Sequence, residues 1–66
     1  MRVHFDEKAD AVYVRLDDSL IVESEEVQPG VVLDYDASYK VIGVEILGVK
    51  QRVPLADLRE IHVKIA

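Results

Sequence analysis

The chain has 66 residues, a net charge of −5, no cysteine and 50% hydrophobic residues. That length allows one domain, residues 1–66, and the missing cysteines exclude disulfides and thiolate metal sites. A core of this size rarely supplies more than about 3–5 kcal/mol, so a second subunit is the expected source of further stability and the chain is expected to be a homodimer or higher homo-oligomer.

Met1, Val3 and Phe5 alternate with Arg2, His4 and Asp6, which is the period of a half-buried strand. Asp6 to Asp10 (DEKAD) reads as a turn. Val12, Val14 and Leu16 then alternate with Tyr13 and Arg15, and Asp17-Asp18 ends this second strand. Leu20 to Val22 is a short apolar run with the character of an edge strand, and Glu23 to Glu26 reads as an acidic loop. In Val27-Gln28-Pro29-Gly30, proline presets φ at the second turn position and glycine tolerates positive φ at the third. Val31 to Asp36 is a strand, Asp36 to Lys40 (DASYK) a turn, and Val41 to Val49 the longest strand. In it Ile42, Val44 and Ile46 share one face, and Gly43 marks a bulge or a close backbone approach. Pro54 suits the first turn of a helix. Leu55, Leu58 and Ile61 then recur every third residue, while Ile61, Val63 and Ile65 also alternate with His62 and Lys64. The reading is a short helix from Pro54 to about Arg59 followed by a closing strand, with one helix to the C-terminus as the rival. The expected fold class is therefore α+β: a small antiparallel β-meander of four to five strands with one short C-terminal helix, since consecutive hairpins favour a meander.

Residues 16–39 carry seven acids and no base, whereas residues 40–66 carry five bases and three acids. Nucleic-acid binding needs a basic face that displaces counterions from phosphates. The acidic middle argues against it, and Lys50, Arg52, Arg59 and Lys64 only hint at such a face. A β-rich DNA-binding regulator is kept as one alternative. A basic partner surface, including a second copy of this chain, matches the charge better. No run approaches the ~20 apolar residues of a membrane helix, and the first residues lack the apolar core of a signal peptide. A cytoplasmic protein with no membrane contact is expected.

Phe5-Asp6, Ala9-Asp10-Ala11, Tyr13 and Leu16, followed by Pro29-Gly30, Asp34 with Asp36, and Gly43-Val44-Glu45-Ile46-Leu47, together resemble a bacterial and archaeal family known only as domain of unknown function 2283. The resemblance spans roughly residues 3 to 60. It departs at Phe5, where the family often has Tyr. It implies a small β-rich domain, with no activity, cofactor or catalytic residue to carry over. Some members look like partners in toxin–antitoxin-type pairs, which implies an antitoxin-like partner of a co-produced protein.

Asp34 and Asp36 are two apart and share a strand face, and Glu45 falls near Asp34 if the two long strands pair. Three carboxylates on one face suit Mg²⁺ or Ca²⁺, which prefer oxygen ligands. Asp34, Asp36 and Glu45 are therefore the candidate metal ligands, and a metal-dependent enzyme is the second alternative. The plainer reading is a solvated sheet face with Asp36 shaping its turn. Glu23, Glu25 and Glu26 are the candidate partner-binding residues, against the plainer reading of a solvated loop. Nothing brings His4 and His62 together. Ser19, Ser24 and Ser38 lack a nucleophile-elbow context, and Asp10 reads as a turn former that bonds backbone N–H groups. No catalytic residue and no cofactor is assigned, and the leading functional reading is a non-catalytic, homo-oligomeric protein-interaction module.

Overall fold

The computed structural model describes residues 1–66, the side chains of 55 and 56 excepted. Five strands form one antiparallel sheet: β1 (Arg2–Asp6), β2 (Ala11–Arg15), β3 (Glu23–Gln28), β4 (Val31–Tyr35) and β5 (Val41–Leu47). Their spatial order is β1-β2-β5-β4-β3. Two hairpins, β1–β2 and β3–β4, thus flank β5, which pairs with β2 on one side and β4 on the other.

This order corrects the expected meander. The crossing from β2 to the far edge depends on an ordered loop. The Arg15 guanidinium donates to the Asp17 and Ser19 carbonyls. The Asp17 carboxylate accepts from the Ser19 N–H and Oγ, both at 3.0 Å. These bonds favour the charged form and hold Asp17 below the usual carboxylate range. Leu20 to Val22 lies in this crossing rather than in a strand. The edge strand is instead Glu23–Gln28, exposed along its whole length. It has no apolar alternation because neither of its faces is buried, so periodicity could not find it.

The α+β class is also corrected. The helical structure consists of a 3-10 turn at Val49–Gln51 and a four-residue turn at Leu55–Leu58, called α1. Helix nucleation is costly and is recovered only over several turns. Here Pro54 provides no side-chain cap and the chain leaves helical pairing at Arg59. The expected closing strand does not form either. Residues 60–66 have no regular structure, and Ile61, Val63 and Ile65 are 64%, 75% and 91% exposed.

The turns follow their local chemistry. Gly30 takes φ +80° between β3 and β4, as a third turn position after proline requires. In DASYK, the Asp36 carboxylate accepts from the Ser38 and Lys40 N–H groups, both at 2.9 Å. Asp10, at φ +52°, does more than turn the chain. Its carboxylate accepts from the Lys50 N–H at 3.0 Å and its carbonyl from the Val49 N–H at 3.2 Å. A turn residue near the N-terminus thereby seats the 3-10 turn that follows β5.

The core is small. Among the described residues the buried hydrophobic ones are Ala11, Tyr35, Ile42 and Val49. Ile42 sits at the shift in register between β4 and β5, and its carbonyl accepts from the Leu16 N–H at 2.8 Å. Two faces result from the pairing. One carries Val3, Val14, Val44 and Leu33 in a row, and beside them Phe5, Val12, Ile46 and Val31. The other carries the row His4, Tyr13, Glu45, Val32 and Glu26.

Candidate functional site

The polar face gathers the ionisable groups. Asp34 on β4 lies directly opposite Gly43 on β5, and Ser24 on β3 lies opposite Asp34. Asp34 is 4% exposed, and the Ser24 hydroxyl donates to its Oδ1 at 2.6 Å. The carboxyl occupies the space left by the missing side chain of Gly43. A Cβ there would lie 2.9 Å from Asp34 Oδ2. Gly43 therefore marks both a close approach and the neighbourhood of a bulge.

Glu45, two residues further along β5, shares this face, and its carboxyl is within hydrogen-bonding reach of Asp34. Burial, that hydrogen bond and the neighbouring charge raise its pKa from 4.5 to about 7. The charge of Asp34 thus opposes ionisation of Glu45, which keeps its proton up to about pH 7. Among the described residues Arg2 forms an ion pair with Asp18, and the His62 ring lies 3.3 Å from the Glu60 carboxylate, both contacts exposed. Neither brings a cation to the acid pair, and Arg15 is directed into the crossing loop. A groove of about 690 Å³ runs past the pair, lined by His4, Tyr13, Arg15, Ile21, Asp34 and Glu45 among others. His4 and Tyr13 rings stand 6.3 Å apart across β1 and β2.

The three carboxylates singled out from the sequence are thus separated. Asp34 and Glu45 converge, whereas Asp36 is committed to its turn. Among the described residues no group of three His, Cys, Asp or Glu side chains is placed to hold a metal ion. His62 bonds to Glu60 in the C-terminal segment, remote in sequence from His4 on β1. Glu23, Glu25 and Glu26 lie on the β3 edge rather than in a loop. Glu23 and Glu25 share the apolar face with Tyr35 and Leu33, and Glu26 shares the polar face with Val32. The row that brings Tyr13 beside Glu45 was not visible in the sequence. It arises from pairing between β2 and β5, about thirty residues apart.

The apolar face is only partly covered. The C-terminal segment borders an open cleft of about 440 Å³, with Phe5, Val12, Val14 and Ile46 of β1, β2 and β5 on one side and Leu58 and Ile61 on the other. Arg52 fastens this segment to the β3–β4 turn by donating to the Pro29 carbonyl at 3.1 Å. Val49 is 4% exposed and belongs to the core.

A family model described as "Protein of unknown function (DUF2283)" matches residues 2–50. The chain belongs to this family. The match takes in all five strands and ends in the 3-10 turn. No curated protein and no solved structure matches the chain. No helix among the described residues is long and apolar enough to cross a membrane.

Proposed function

We propose that this family member is a non-catalytic, self-associating protein-interaction module of the cytoplasm, whose apolar sheet face is completed by a second copy of the chain. The observation that carries this reading is the amount of surface left in water. The chain exposes 5144 Å², whereas a folded monomer of 7.5 kDa exposes roughly 4,250 Å². The excess, about 900 Å², is close to the ~800 Å² that each partner contributes to a standard interface. The radius of gyration agrees: 12.7 Å, against about 10.8 Å for a compact chain of this length. The excess is apolar in character. Val3, Val22 and Val27 are each more than 40% exposed, as are all three aliphatics of the C-terminal segment.

On the polar face the Ser24 hydroxyl is committed to the Asp34 carboxylate, a contact that ties β3 to β4. Light scattering at micromolar concentration tests the proposal, with a dimer or higher assembly expected. A monodisperse monomer of 7.5 kDa refutes it.

A further inference from the structure

The C-terminal segment and the β3 edge are complementary. Residues 61–66 alternate β-branched Ile61, Val63 and Ile65 with His62 and Lys64 and contain no acidic side chain, a pattern suited to a strand with one apolar face. Yet they pair with nothing in their own chain. β3 ends the sheet, so its outer row of N–H and C=O groups has no partner strand. It presents Glu23, Glu25 and Glu26 and no base. Acids on an edge discourage pairing with another acidic edge, which leaves a basic strand as the matching occupant.

The other edge of the sheet, β1, offers Arg2 and His4 to a segment that is itself basic.

We propose that residues 61–66 of one copy add as a sixth strand to the β3 edge of a second copy. The inference rests on the self-association proposed above and specifies how it is built. With Lys64 set beside Glu26, Ile61, Val63 and Ile65 fall on the face of Glu23 and Glu25, where they cover the aliphatic stems of these side chains. His62 and Lys64 then fall on the face of Ser24 and Glu26, where Lys64 meets Glu26. Main-chain hydrogen bonds supply affinity and the alternating side chains supply register. Reciprocal exchange uses both tails and both β3 edges and closes as a two-fold dimer.

The test is sedimentation and light scattering at low salt on the full chain, on a chain ending at Glu60, and on K64E, E26K and the double variant. The full chain is expected to dimerise, and the truncated chain to be a folded monomer by circular dichroism. Each single reversal occurs twice in a reciprocal dimer and is expected to weaken it about fivefold or more. The double variant restores the opposite charges and recovers most of the loss. A truncated chain that still dimerises overturns the strand exchange but leaves self-association standing. A monomeric full chain overturns both. If the truncated chain does not fold, the charge variants decide, since both positions are exposed. Unchanged dimer affinity in K64E and E26K, or no recovery in the double variant, overturns the exchange.

Discussion

Replacing Glu45 by glutamine should change how stability depends on pH. In the folded chain the Glu45 pKa is raised from 4.5 to about 7 by burial first, then by its hydrogen bond to Asp34 and the charge of Asp34. Below about pH 4.5 the carboxyl is protonated in both the folded and unfolded chain, and the shift has no effect. Between 4.5 and 7 the folded chain keeps a proton that the unfolded chain has released, so stability falls as pH rises. Above about 7 the folded chain must ionise Glu45 beside Asp34, and the full penalty is felt. Raising the pKa from 4.5 to about 7 sets a ceiling of roughly 3 kcal/mol. Glu45 keeps part of its surface in water, and screening reduces the penalty to roughly 1–2 kcal/mol. Glutamine cannot ionise and can donate to Asp34, which retains its Ser24 bond. E45Q should therefore match wild type near pH 4 and exceed its stability by roughly 1–2 kcal/mol at pH 8. Urea unfolding followed by circular dichroism at pH 4 to 9 measures this, at one protein concentration because association contributes to apparent stability. With a slope of about 1 kcal/mol/M, the midpoints should separate by about 1 M or more at pH 8. Wild-type stability that rises between pH 5 and 8, or curves for the two proteins that stay parallel, would refute the raised Glu45 pKa.

Three further substitutions probe the frame around this site. Gly43→Ala places a methyl 2.9 Å from Asp34 Oδ2 and should destabilise by about 1–3 kcal/mol; adding Asp34→Ala should relieve part of that loss in a double-mutant unfolding cycle. Ile42→Ala truncates a large, fully buried side chain, and a loss of about 2–4 kcal/mol is expected by denaturant titration. Asp10→Ala removes the acceptor for the Lys50 N–H and puts alanine at φ +52°. It should cost about 1–2 kcal/mol, and hydrogen exchange should show faster opening at Val49 and Lys50 than elsewhere in the sheet.

The residues with purely local duties were legible in the sequence. Pro29-Gly30 and the DASYK turn act through their own dihedral preferences and through hydrogen bonds spanning two to four residues. β1, β2, β4 and β5 could be read because each puts apolar residues on a face that is at least half-buried. The resemblance to the DUF2283 family rested on the same segments and is matched over residues 2–50. What failed was information that is not local. β3 is a strand because β4 offers it hydrogen bonds, and no alternation of its own announces that. The expected C-terminal helix had a three-residue periodicity but too few turns to sustain itself without a packed face. The strand order, and with it the meeting of Tyr13 with Glu45, depends on β5 inserting between two hairpins. The sequence by itself determined the turns, four strands and the absence of disulfides. Only the tertiary structure decided that Asp34 and Glu45 stand together while Asp36 stays in its turn. Hydrogen bonding between strands distant in the chain sets which carboxyls become neighbours, and composition carries no record of it.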